Sequence, residues 1–185
     1  MHLAFVVYPG FTALDIVGPY EVMSRWPGAH VHWVASSLAP VRADEGLTVT
    51  PTDTFASLPY PDVVIVGGAT NPVRPLKDEA LIAWVRNAAL RAKWMASVCT
   101  GSGVLAEAGL LAGKKATTHW AFRDNLRAMG VAVVDERVVI DGQVVTGAGV
   151  SAGIDMALHL VARLRSRERA AELRRYIQYD PEPPV

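Results

Sequence analysis

Cys99 is the only cysteine among 185 residues, and its surroundings are those of a nucleophile. The apolar run Trp94-Met95-Ala96-Ser97-Val98 leads into Cys99-Thr100-Gly101-Ser102-Gly103, and the apolar-rich Val104-Leu105-Ala106-Glu107-Ala108 follows. A strand that bends through small residues into a helix lifts the side chain at the turn out of the sheet and exposes it. The partial positive charge at a helix N-terminus stabilises a thiolate, the reactive form of the group. A free cysteine is otherwise a small buried core residue. The strand–turn–helix setting favours the reactive role.

Two other segments carry candidate partners. In open α/β sheets the functional crevice lies beyond the carboxyl ends of strands, where the topology reverses. One apolar run exits into Pro9-Gly10-Phe11-Thr12-Ala13-Leu14-Asp15, another into Gly67-Gly68-Ala69-Thr70-Asn71, and a third at Cys99. A carboxylate, a glycine turn and a thiol are then expected to converge. Asp15 also stands where a helix N-cap would stand, and Gly67-Gly68 also suits an ordinary strand-to-loop turn. A thiolate beside a carboxylate is a like-charge pair, so one of them must hold a proton; a protonated Asp15 hydrogen-bonded to a Cys99 thiolate meets that demand. The Thr100 and Gly68 backbone N–H groups are candidate donors to developing negative charge. The Thr100 hydroxyl can orient substrate or water, or simply satisfy nearby backbone.

Alternating strands and helices must position these groups. Strands are expected over Leu3–Tyr8, Val31–Ala35, Asp62–Val66 and the run before Cys99, because continuous apolar stretches suit strands covered on both faces. Short runs flanking Asp44-Glu45-Gly46, within 41–50, suggest a hairpin, and Asp141-Gly142 within 138–146 is a stronger hairpin signal. Helices are expected over Ile16–Trp26, with Pro19 near the start, and over Asp78–Arg91, 122–129, 154–164 and 168–179. Gly109 is expected to close the helix after Cys99. Such alternation predicts an α/β domain with a mostly parallel central sheet spanning residues 1–185.

Composition excludes several classes. Lys plus Arg and Asp plus Glu both number 18, so there is no charge to steer the chain to nucleic acid or an anionic membrane. A lone cysteine forms no intramolecular disulfide, which fits a reducing, cytoplasmic location. The N-terminal run reads as a first strand instead of a signal peptide, and no apolar stretch is long enough to span a bilayer. No G-x-G-x-x-G follows a strand, so no dinucleotide cofactor is expected. The five histidines show no paired metal-ligand spacing; His30 and His32 alternate along a strand and are expected on its solvated face.

These residues resemble the DJ-1/PfpI superfamily, a class I glutamine amidotransferase-like group, and within it the isocyanide hydratase branch. The resemblance is carried by residues 14–22, by Ser97-Val98-Cys99-Thr100-Gly101-Ser102, by 108–120 ending Ala116-Thr117-Thr118-His119-Trp120, by 146–155 including Val150, and by Tyr179-Asp180-Pro181-Glu182-Pro183-Pro184. It implies a flavodoxin-like three-layer sandwich, a homodimer, Cys99 as nucleophile and Asp15 as its acidic partner. Gly68, Ala69, Thr100, His119 and Val150 are expected along the substrate pocket, with no cofactor or metal and a small molecule as substrate. Protease-like members carry His directly after the nucleophile; Thr100 stands there instead, which counts against peptidase activity. The implied activity is that of a hydro-lyase converting an isocyanide to an N-substituted formamide. The Cys-Thr-Gly and Ala-Thr-Thr-His-Trp segments also resemble the ligand-sensing domains of AraC-type regulators, although no basic recognition helix follows before Val185. A small-molecule or redox sensor is the alternative.

Overall fold

The computed structural model describes residues 1–181; Glu182, Pro183 and Pro184 of the closing motif lie outside the described residues. Strand β1 (His2–Val6) carries four consecutive buried residues. Helix α1 (Ala13–Met23) starts ahead of the expected Ile16, which places Pro19 in its interior. Proline has no N–H, so the Asp15 carbonyl one turn earlier lacks its helical donor. β2 (His30–Ala35) follows. β3 (Val41–Arg42) and β4 (Thr48–Val49) pair antiparallel as the expected hairpin around Asp44. β5 (Asp53–Thr54) pairs with β2, and was not anticipated because so short a strand leaves no periodic signal. It brings Asp53 Oδ2 to 2.8 Å from His32 Nδ1, so His32 is half-buried while His30 is exposed.

β6 (Val63–Val66) is buried throughout. A single helical turn, α2 (Val73–Leu76), lies in the loop after β6. α3 (Glu79–Ala88) is capped by Asp78, whose side chain accepts the Leu81 N–H. β7 (Trp94–Val98) runs into α4 (Gly101–Glu107). β8 (Lys115–Ala116), a 3-10 turn at Trp120–Phe122, α5 (Arg123–Ala128) and β9 (Ala132–Val133) form the next excursion. β10 (Val138–Asp141) and β11 (Val144–Gly147) make the hairpin that Asp141-Gly142 signalled. α6 (Ala152–Leu164) and α7 (Arg167–Tyr176) complete the described elements.

The main sheet has seven strands in the order β10-β11-β7-β6-β1-β2-β5. Every neighbouring pair is parallel except the β10–β11 hairpin. Helices α1, α6 and α7 pack as one group and α2 to α5 as another, giving the flavodoxin-like sandwich. Leu3, Phe5, Val63, Ile65, Met95 and Val98 are fully buried in it, and each such side chain contributes about 1.5–3 kcal/mol through removal from water. Gly153 allows α6 to approach α1, since a Cβ there would lie 3.0 Å from Pro19 Cδ.

Register sets the site. Val6 pairs with Val66, and Val66 with Ser97. The segments leading to Asp15, Gly68 and Cys99 therefore leave the sheet side by side. Among the described residues no helix is long and apolar enough to cross a membrane.

Candidate active site

Cys99 sits on a strained elbow. Its φ is +58°, in the left-handed region, where a non-glycine residue costs about 1–3 kcal/mol and persists only under surrounding constraint. The constraint is visible. Cys99 N–H donates to the Gly147 carbonyl at 3.0 Å. The Thr118 hydroxyl donates to the Cys99 carbonyl at 2.9 Å and accepts from the Ser102 hydroxyl at 2.8 Å. Ser102 Oγ also lies 3.2 Å from that carbonyl. Both hydroxyl residues are fully buried. Ser102 and Thr118 were read only as parts of a turn and a motif. The signal for Ser102 was its spacing, since a hydroxyl placed there reaches back to the carbonyl of residue i−3.

Asp15 is not the helix cap; Thr12 holds that position, and Asp15 is wholly buried in the first turn of α1. Its Oδ2 accepts the Gly68 N–H at 2.7 Å. Its Oδ1 is buried with no hydrogen-bond partner among the described residues, and the Asp15 carboxyl and the Cys99 thiol are near enough to influence each other's titration. The glycine pair is a demand of close approach and not merely of a turn. A Cβ at Gly68 would fall 2.6 Å from Thr100 N and 3.1 Å from Asp15 Oδ2, and one at Gly67 would fall 2.9 Å from Ile16 Cγ1. The buried Tyr8 hydroxyl fixes this turn by donating to the Gly67 carbonyl at 2.7 Å. In the sequence Tyr8 signals only the end of a strand.

Three expectations change. Cys99 is only 6% exposed, because the elbow aims it at the floor of a cavity and not at bulk solvent. Burial, and next the Asp15 carboxylate, push the thiol up to about 12. These outweigh the N–H groups of Thr100 and Val150, which favour the thiolate. The resting group is therefore a thiol, not the thiolate expected from the helix terminus. Burial likewise raises Asp15 to about 7, against the lowering influence of the Gly68 N–H. Lastly, the Gly68 N–H is occupied by Asp15 and is not free to receive developing charge on a substrate.

A cavity of about 430 Å³ opens over Cys99. Ala69, Thr100, His119 and Val150 line it, whereas Gly68 and Asp15 do not. The Thr100 hydroxyl serves the backbone as well as the cavity, accepting the Ala69 N–H at 2.9 Å and donating to the Ala69 carbonyl at 3.2 Å. His119 Nδ1 accepts the Ala121 N–H at 3.3 Å, capping the 3-10 turn. Phe122, Asn125 and Asp44 also reach the cavity. In the sequence Asp44 signals only hairpin-turn chemistry. Among the described residues no group of three or more His, Cys, Asp or Glu side chains is placed to hold a metal ion.

This elbow, with an acid from the first helix beside it, accompanies a match to the DJ-1/PfpI family over residues 1–163. The chain belongs to that family. It is 41% identical over 184 residues to the isonitrile hydratase of Pseudomonas putida, covering 100% of this chain and 81% of the relative. It is 32% identical over 178 residues to the HTH-type transcriptional regulator CdhR of Pseudomonas aeruginosa, covering 91% of this chain but 52% of the regulator. A crystal structure of a ThiJ/PfpI family protein from Pseudomonas syringae superposes with a TM-score of 0.96 at 41% identity, covering 100% of this chain and 77% of the other. Family members thus include an enzyme and a regulator on one scaffold.

Proposed function

We propose that this protein hydrates an isocyanide to an N-substituted formamide through a covalent intermediate on Cys99. The observation that carries the reading is Cys99 at a mainly uncharged cavity, with the buried carboxyl of Asp15 behind it and each group influencing the other's titration. The likeness to an isonitrile hydratase supports it. An isocyanide carbon is divalent and electrophilic toward a soft nucleophile. Asp15, titrating near 7, takes the thiol proton as sulfur attacks that carbon, then delivers it to the same carbon. The product is a thioimidate, in which the substrate nitrogen is doubly bonded to a carbon carrying hydrogen and sulfur. Water adds to this carbon while Asp15 accepts its proton. Asp15 passes that proton to nitrogen, and cleavage of the C–S bond, with the hydroxyl proton moving to sulfur, releases the formamide and returns the thiol. Burial makes the resting thiol unreactive, and the Thr100 and Val150 N–H groups stabilise the thiolate once it forms. No imidazole follows Cys99 to act as a protease base.

The protein acts as a homodimer on this reading, without nucleic acid or a cofactor. A sensor reading is favoured by the likeness to CdhR, and the two separate cleanly. Spectrophotometric detection of formamide from a simple aryl isocyanide should show many turnovers per Cys99, and none in Cys99→Ala. Stoichiometric binding without product would establish the sensor.

A further inference from the structure

Asp44 is a carboxylate built into the cavity wall that the chemistry above does not use. It lines the same space as Cys99. Its Oδ2 accepts the Thr12 hydroxyl at 2.8 Å and the Thr70 hydroxyl at 2.9 Å. Its Oδ1 accepts the Glu45 N–H at 2.9 Å, and its own N–H donates to the Phe11 carbonyl at 3.0 Å. The group is therefore held in one orientation by the loop after β1, the hairpin turn and the loop after β6. Among the described residues no Lys or Arg forms an ion pair with it, and none lines the cavity. Its negative field reaches inward, where it is one of the influences raising Asp15 and Tyr8.

A fixed carboxylate without a counter-cation, on the wall of a half-enclosed space, repels a second negative charge and attracts a positive one. We propose that Asp44 sets the charge preference of the Cys99 cavity, admitting neutral and cationic substituents and rejecting carboxylate-bearing ones. For the substrate this rests on the hydratase reading: the isocyanides used would carry neutral or ammonium-bearing substituents. The charge preference itself is a property of the cavity and is measurable without turnover.

Cys99 is the only cysteine, so thiol labelling of the intact protein reports on one site. The probes are methanethiosulfonates of similar size with methyl, trimethylammonium-ethyl and sulfonate-ethyl tails. Each rate is normalised to that of the urea-unfolded chain. The cation-to-anion ratio on one protein cancels its thiolate fraction, so any effect of Asp44 on Cys99 ionisation drops out. Wild type should favour the cation, and Asp44→Asn should lower the ratio about tenfold or more, the scale of one unit charge near contact distance. Asp44→Glu should preserve the preference, and 1 M salt should weaken it in wild type. A wild-type ratio near one, or a ratio unchanged in a folded Asp44→Asn variant, overturns the proposal. The wild-type measurement decides even if the variant does not fold. Absence of formamide from every isocyanide, with the labelling ratio shifting as expected, would fail the hydratase reading and leave the charge preference standing.

Discussion

The Gly68 N–H donates to Asp15 Oδ2 at 2.7 Å, so the glycine turn after β6 is the cradle of the acid. A charged acceptor receiving a backbone N–H is among the stronger hydrogen bonds, yet burial still raises Asp15 to about 7. The turn thus orients a group that exchanges its proton at neutral pH.

Asp15→Asn should lower the pH at which Cys99 alkylates, because the Asp15 charge is the second cause of the raised thiol. Burial is the first cause, so the apparent pKa should remain above 9.0. Iodoacetamide rates measured from pH 6 to 11 read this directly, and turnover should fall severely in the same variant. An unshifted alkylation profile would reduce Asp15 to a packing residue.

Stability should fall as pH rises through the titration of Asp15. Its folded value of about 7 lies above the ordinary 3.8, so between these values the folded state binds a proton the unfolded chain has released. The favourable term is complete below about pH 4 and is lost by about pH 7, a change of roughly 4 kcal/mol. Urea denaturation of wild type and Asp15→Asn at pH 5 and pH 8 should show the slope in wild type and its loss in the variant.

Removing either hydroxyl that holds the elbow should cost stability and activity together. Thr118→Val and Ser102→Ala should each destabilise by about 1–3 kcal/mol, since buried polar groups lose partners. The double variant should be non-additive, because both act on the Cys99 carbonyl. Chemical denaturation of the four-member cycle measures the coupling; strict additivity would mean the two hydroxyls act separately.

The assembly is expected to be a homodimer, giving a scattering mass of two 19.9 kDa chains across a concentration series. A mass of one chain throughout would refute it.

The strands beside the site were legible because burial on both faces leaves an unbroken apolar run, as in Val63-Val64-Ile65-Val66. The elbow at Cys99 was legible because small residues cluster where a strand becomes a helix. The start of α1 was misplaced: Pro19 suggested a nearby N-terminus, whereas packing against Gly153 admits it inside the helix. The protonation state of Cys99 was misjudged because a helix terminus is visible in sequence, while the depth at which the thiol is held depends on segments distant along the chain. Thr118 and Tyr8 were missed for the same reason. Their partners are carbonyl groups, which carry no residue-type signature.

Glycine would relax the backbone at position 99 where φ is +58°. A search for thermostability at this position would thus reward the replacement that deletes the thiol. Fitness for folding and fitness for chemistry diverge at one residue, and screens on melting temperature alone would drift toward an inert protein.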